Sequence, residues 1–123
     1  MSTALEEPLA ERFQESDTPY LSPAKVGEFF GLQIQELAER AHVHRNTPTA
    51  RPHASQLQKY LQDLVRVLAV ASEMTGDEKR AVFLLRNEPL RAFGYKTADT
   101  LIQEGRTDAV VAYLESLAGG AAG

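Results

Sequence analysis

The chain has 123 residues, 43% of them apolar and 24% charged, which suffices for one domain or for two small subdomains that share a core. It contains no cysteine, so disulfides, thiolate metal sites and cysteine nucleophiles are excluded. No apolar run approaches the roughly 18 residues of a membrane-spanning helix, and residues 1–15 carry four glutamates and no apolar stretch typical of a secretory signal. We therefore expect a cytoplasmic protein without a membrane segment.

The net charge of −4 is unevenly distributed along the chain. Residues 1–39 hold eight acids and two bases, residues 40–62 hold four bases and no acid, and residues 63–123 hold nine acids and seven bases. The basic block also contains His42, His44 and His53, in a spacing that suggests no metal site. This block could meet phosphates, or it could be a solvated loop, and both interpretations stay open.

Patterns that favour β-strands are nearly absent, so the fold class is predicted as all-α. A short helix is expected over residues 5–14, and the Ser-Asp-Thr-Pro sequence of residues 16–19 ends it. The next helix begins with Ser22 as N-cap and Pro23 in its first turn, and it runs to about Phe30. Gly31 permits a tight turn before a second helix over residues 33–41.

These two helices and the turn between them match the arrangement of a helix-turn-helix unit, although an ordinary helical hairpin fits as well. Glutamine and arginine side chains on the second helix can bind base edges in the major groove, but Glu36 and Glu39 on the same face would repel phosphate. Residues 42–55 contain two prolines and are predicted as a loop, which in a helix-turn-helix protein would contact backbone phosphates. The predicted DNA-binding residues are Gln33, Gln35, Arg40, His44, Arg45 and Arg51.

A long helix is predicted from about Ser55 to Thr75, with Gly76 after its end. Its apolar residues wrap more than one face, so we expect it both to fill the core and to face a second subunit in a homodimer. The predicted dimerisation residues are Leu57, Tyr60, Leu61, Leu64 and Leu68.

The last third of the chain is predicted to form three further helices. Asp77 opens the first, residues 81–85 make it buried on most sides, and the Asn-Glu-Pro sequence of residues 87–89 stops it. A compact loop over residues 93–96 precedes a two-turn helix that is capped by Thr97 and ends at Gly105. Thr107 caps the last helix, in which residues 110, 111, 114 and 117 share one face up to Gly119. The Asn-Glu-Pro turn and the loop over residues 93–96 are more specific features than a plain helical hairpin requires, and the segment is too short to enclose a site of its own. We therefore expect it to dock on another protein.

Several short motifs in the chain form one pattern: Val26-Gly27 in the leading helix, Phe83-Leu84, Asn87-x-Pro89, Gly94-x-Lys96-Thr97-Ala98, Leu101 and Glu104-Gly105. From residue 21 to residue 122 the chain resembles the Xre/MbcA/ParS antitoxins of bacterial toxin–antitoxin pairs, with alanine at position 98 where proline is usual. The resemblance implies three parts. Residues 1–54 would form the helix-turn-helix DNA-binding region with its basic loop, residues 55–76 the central dimerisation helix, and residues 77–123 the toxin-binding domain.

The resemblance also implies a partner, a RES-fold toxin that uses NAD, and a homodimer of this chain within a toxin–antitoxin hetero-oligomer. The C-terminal domain and its thin Gly/Ala tail would cover the toxin's NAD cleft, and binding to operator DNA would repress the operon. We expect no enzyme activity, cofactor or metal. A helix-turn-helix regulator whose C-terminal domain only dimerises is the alternative, and a frayed tail without a function is the alternative for residues 119–123. The predicted toxin-binding residues are Asn87, Pro89, Phe93, Gly94, Tyr95, Lys96, Thr97, Leu101, Gly119, Gly120, Ala121, Ala122 and Gly123.

Overall fold

The structure is a computed structural model of the whole chain, and it describes the backbone of residues 9–122 and the side chains of residues 9–119. Over this range the chain is helical apart from turns and two isolated β-bridges, so the all-α prediction is confirmed. None of the helices in this range is long and apolar enough to cross a membrane. The helices are α1 (described over residues 9–13), α2 Pro23–Phe30, α3 Ile34–Ala41, α4 Thr47–Ala50, α5 Ser55–Thr75, α6 Glu78–Asn87, a 3₁₀ turn Arg91–Phe93, α7 Ala98–Gln103 and α8 Thr107–Ala122.

Helices α2 and α3 are joined by the tight turn that the sequence predicted. The Ser22 hydroxyl accepts a hydrogen bond from the Lys25 amide at 3.1 Å, which caps the start of α2. At the other end Gly31 has a left-handed φ of 71°, and the Leu32 amide donates to the Gly27 carbonyl at 2.8 Å. This bond closes a Schellman motif, which satisfies the last carbonyl groups of α2 and turns the chain into α3.

Gly27 allows α2 and α3 to lie close together. A Cβ atom added at this position would lie 2.7 Å from the Leu32 carbonyl oxygen and 3.2 Å from a Leu37 methyl group. The first of these neighbours is backbone, which cannot move away as the end of a side chain can. The glycine is therefore required by packing, because its own conformation is ordinary helix.

Residues 42–55 are not entirely loop, which corrects the sequence prediction. Helix α4 forms one turn within them, and Thr47 and Pro48 in that turn are buried. The Asn46 carbonyl accepts hydrogen bonds from the Thr49 amide at 3.2 Å and the Ala50 amide at 2.8 Å. A proline in the first turn of a helix loses no hydrogen bond, so Pro48 begins a helix where it was expected to prevent one.

Helix α5 forms the centre of the fold and has the predicted bounds. It packs against α3, α6, α7 and α8, so side chains on most of its circumference enter the core. The five predicted dimerisation residues have 4% exposure or less. Their contribution to the core is confirmed, but in this position they offer no surface to a second subunit. Homodimerisation itself stays a prediction.

Helix α6 is less buried than predicted. Only Ala81 and Leu85 are buried, Val82 and Leu84 are partly buried, and Phe83 is 67% exposed. Ala81 and Leu85 are four residues apart and define the face that meets the core. Phe83 lies two residues from each of them and therefore points away from that face.

Helix α8 differs from the prediction at both ends. Thr107 lies inside its first turn, and the hydroxyl is buried with no hydrogen-bond partner among the described residues, so Thr107 is not the cap. The backbone carbonyl of Arg106 accepts the first helical hydrogen bond, from the Val110 amide at 3.2 Å. Leu117 is 45% exposed, unlike the three other apolar residues predicted to share its face. The helix passes Gly119 and continues to Ala122, so Gly119 does not end it.

Candidate functional site

The loop between α6 and α7 is closed on itself. The Leu90 amide donates to the Lys96 carbonyl at 2.9 Å, and the Tyr95 amide donates to the Leu90 carbonyl, also at 2.9 Å. Gly94 and Tyr95 both have left-handed φ angles, 65° and 69°. This conformation costs a tyrosine free energy, and such strain is concentrated at functional sites. Tyr95 is nevertheless 64% exposed, so the loop holds a strained aromatic side chain towards solvent.

Three of the predicted toxin-binding residues around this loop lie on the surface, and local contacts fix the side chains of two of them, Asn87 and Lys96. Asn87 donates its side-chain amide to the Phe83 carbonyl at 3.1 Å, one turn back along α6. Pro89 is exposed. Lys96 Nζ lies 2.7 Å from Glu104 Oε2, an ion pair that joins the loop to the end of α7.

Two other predicted toxin-binding residues serve the fold. The Thr97 hydroxyl accepts a hydrogen bond from the Thr100 amide at 3.1 Å and so caps α7, as predicted. Leu101 has no exposed surface and lies in the core. Its side chain cannot contact a partner unless α7 leaves the core, and its assignment as a contact residue stays a prediction.

A second apolar surface extends from the loop along α8. The ring of Phe93 packs edge-to-face on Tyr113 with 5.5 Å between ring centroids, and the Arg106 guanidinium lies 5.2 Å from the Phe93 centroid. Leu117 follows Tyr113 by one helical turn and is exposed. The sequence prediction did not include Phe83, Tyr113 and Leu117 in the site. Helical spacing shows which residues share a face, but it does not show which face is buried until one core residue of the helix is known.

The C-terminal residues of the predicted site continue α8. Residues 119–122 are helical, and a Cβ atom added at Gly119 would meet nothing within 4 Å, so this side of the helix is open. Gly123 lies outside the described residues. The small residues therefore extend a helix of thin cross-section, where the sequence suggested an irregular tail.

Most of the predicted DNA-binding residues are exposed but do not form one surface of uniform charge. The Gln33 amide donates to Glu36 Oε1 at 2.8 Å, which caps α3. Gln35 and Arg45 are exposed, and so is Arg51. The ring Nδ1 of His44 accepts a hydrogen bond from the Asn46 amide at 3.1 Å. Since Glu36 and Glu39 occupy the same helix as Gln35, the surface of α3 is not basic.

Arg40 points into the protein. Its Nε and Nη2 atoms each lie 3.1 Å from Asp99 Oδ2, and Asp99, in the first turn of α7, is only 5% exposed. The charge of this guanidinium is therefore already paired in the fold. Its predicted contact with a base would require that this pair be broken first.

Tyr60 lies beside the same ion pair. Its hydroxyl is buried and has no hydrogen-bond partner among the described residues. Burial, and secondarily the negative charge of Asp99, raise the pKa of Tyr60 far above its ordinary value. The phenol therefore stays neutral in the folded protein where it would ionise in the unfolded chain.

We expect Tyr60→Phe to make the protein less sensitive to alkali. Because the pKa is higher in the folded state, the contribution of Tyr60 to stability is fully present below about pH 10, the pKa of the unfolded side chain, and is lost above it at about 1.4 kcal/mol per pH unit. Urea unfolding at pH 8 and pH 11 measures this, with Tyr95→Phe as the control at an exposed tyrosine. An alkaline decline as steep in Tyr60→Phe as in the wild type would contradict the expectation.

Comparison with protein families gives one match, over residues 70–120, to the family described as the antitoxin Xre/MbcA/ParS C-terminal toxin-binding domain. No significant match was found among curated proteins or solved structures. The matched range runs from the last part of α5 through the loop of residues 90–96 to α8. It contains the exposed side chains of Phe83, Tyr95 and Leu117. Residues 70–120 of the chain are therefore similar to the C-terminal toxin-binding domain of the Xre/MbcA/ParS antitoxins.

Proposed function

We propose that the chain is the antitoxin of a type II toxin–antitoxin system and that it inhibits a RES-fold toxin that uses NAD, either to degrade it or to transfer ADP-ribose. The observation that carries this proposal is the exposure of three large apolar side chains within the family-matched range: Phe83 at 67%, Tyr95 at 64% and Leu117 at 45%. Large aromatic side chains are the usual anchors of protein interfaces. The chain itself is proposed to have no enzymatic activity and to act in the cytoplasm.

We propose that inhibition comes from the C-terminal end of α8 entering the NAD cleft of the toxin. Gly and Ala residues give this end a thin cross-section, and the end of a helix carries partial negative charge. The exposed Leu117 and the partly buried Tyr113 would contact the rim of the cleft.

Deletion of residues 119–123 is expected to relieve inhibition of the toxin without unfolding the antitoxin, because its glycine and alanine residues have little apolar surface that could support the core. The rate of NAD consumption by the co-purified toxin measures inhibition, and circular dichroism measures folding. Gly120→Trp should have the same effect as the deletion, because the added ring widens the helix. Ala122→Ser is the control and should inhibit fully. Full inhibition by the deleted chain would reject the insertion.

Identification of the partner is the direct test of the function. The tagged chain is expressed together with its neighbouring open reading frame, and a stoichiometric partner that consumes NAD is expected to co-purify. A partner that consumes no NAD after it has been separated from the tagged chain and refolded would refute the RES-toxin proposal.

We propose in addition that the chain forms a homodimer in the complex and represses its own operon. DNA contacts would use Gln33, Gln35, His44, Arg45 and Arg51, and the dimer must use side chains other than the five buried on α5. The alternative function, a helix-turn-helix regulator whose C-terminal domain only dimerises, is favoured by the α2–turn–α3 geometry. An operator complex that weakens steeply with salt, formed by a chain that never co-purifies with a toxin, would select this alternative.

A further inference from the structure

The ion pair between Arg40 and Asp99 connects two parts of the chain that are 59 residues apart. The Arg40 side chain is 19% exposed and the Asp99 side chain 7%. Removing two charges from water costs free energy that their attraction recovers only in part, and apolar residues of similar volume often stabilise a fold as well. A buried pair at this position is therefore weak evidence of a contribution to stability, but it does fix the geometry between the end of α3 and the first turn of α7.

Further contacts hold the end of α3 against α7. The ring Nε2 of His42 lies 2.9 Å from the Gln103 carbonyl oxygen, and the Gln103 side-chain amide donates to Asp99 Oδ1 at 3.3 Å. Arg40 thus contacts the first turn of α7 and His42 contacts its last residue. Helix α7 has only six residues, so these contacts fix it at both ends.

The position of α7 determines the position of the exposed loop. Thr97 caps α7, and Lys96 immediately before it accepts the hydrogen bond from Leu90 that closes the loop. Thr97 is therefore the one residue between Lys96, whose carbonyl closes the loop, and Ala98, where α7 begins. Asp99 is the next residue of α7. A shift of the first turn of α7 would move Tyr95 with it.

We propose that Arg40 is a positioning residue for toxin binding: from outside the family-matched segment it holds Asp99, and thereby the loop of residues 90–96, in the orientation that the toxin binds. This inference rests on the proposed function. It assigns Arg40 to the toxin-binding apparatus in place of a contact with DNA.

The test uses the full chain and the toxin encoded by the neighbouring reading frame. Arg40→Met is expected to weaken toxin binding about tenfold by calorimetry, a free-energy change of about 1.4 kcal/mol. Hydrogen exchange should become faster at the amides of residues 96–103 and stay unchanged in the middle of α5. The control is Arg45→Met, which removes an exposed arginine from the same region and should bind the toxin like the wild type.

The double variant Arg40→Met with Asp99→Asn separates positioning from stability. It leaves no unpaired buried charge, so its urea midpoint should return towards that of the wild type, while toxin binding should stay about tenfold weaker. If the double variant recovered both the urea midpoint and the toxin affinity of the wild type, the pair would only stabilise the fold and the inference would be overturned. Wild-type toxin affinity in a folded Arg40→Met chain would overturn it as well. If the wild-type chain bound no NAD-consuming toxin, the proposed function would fail, and this inference with it.

Discussion

Leu101→Ala is expected to lower the free energy of unfolding by about 2–5 kcal/mol, the usual cost of a cavity at a fully buried leucine. Leu101 has no exposed surface, and its helix α7 packs against α5, α6 and α8 at once. The surrounding helices cannot all move inward to fill the space. Urea denaturation followed by circular dichroism measures the change.

The matched control is Leu117→Ala, which removes the same atoms from an exposed leucine of the same domain. Its free energy of unfolding should change by less than about 0.5 kcal/mol, as is usual for surface positions. Toxin binding by Leu101→Ala should weaken only in proportion to the unfolded fraction. A Leu101→Ala chain that is as stable as the wild type but fails to bind the toxin would place Leu101 at the interface after all.

Tyr95→Gly is expected to weaken toxin binding about 30-fold, the loss of about 2 kcal/mol that defines an interface anchor. The same change should leave the free energy of unfolding within about 1 kcal/mol of the wild type. Glycine adopts the left-handed φ of this position without strain, which offsets its greater flexibility in the unfolded chain. Calorimetric titration of the toxin and urea denaturation of the free chain measure the two quantities.

Tyr20→Ala serves as the control for Tyr95→Gly. Tyr20 is also exposed, at 39%, but lies outside the family-matched residues, where its ring stacks on His53 at 3.9 Å between centroids. Its removal should not alter toxin affinity. Equal weakening by both substitutions would indicate a general effect on the fold, and no weakening by Tyr95→Gly would remove the loop from the interface.

The helix boundaries were largely predictable because they depend on local chemistry. The side chains of Ser22 and Asp77 cap the starts of α2 and α6. Gly31 and Gly76 adopt left-handed conformations at the ends of α2 and α5. Each of these signals lies within four residues of the boundary it sets. Pro48 was misinterpreted because a proline can begin a helix or end one, and only the packing of α4 distinguishes the two.

The surface of the candidate site was predictable only in part. The closed loop follows from its own residues, but the exposure of Phe83 depends on which face of α6 meets α5. Arg40 illustrates the same limit more clearly, since its partner Asp99 is 59 residues away. An arginine at the end of a helix can face DNA or a buried carboxylate, and local sequence does not distinguish these environments.

The hydrophobic core that the described helices share limits where a gene fusion can join this chain to another. Side chains from every described α-helix except α4 contribute to one cluster, and residue 70, where the family match begins, falls inside α5. A gene fusion that joined at this residue would cut the central helix and separate Leu64 and Val67 from their neighbours. An unrelated front part that replaced residues 1–69 would therefore have to supply a complementary apolar face as well.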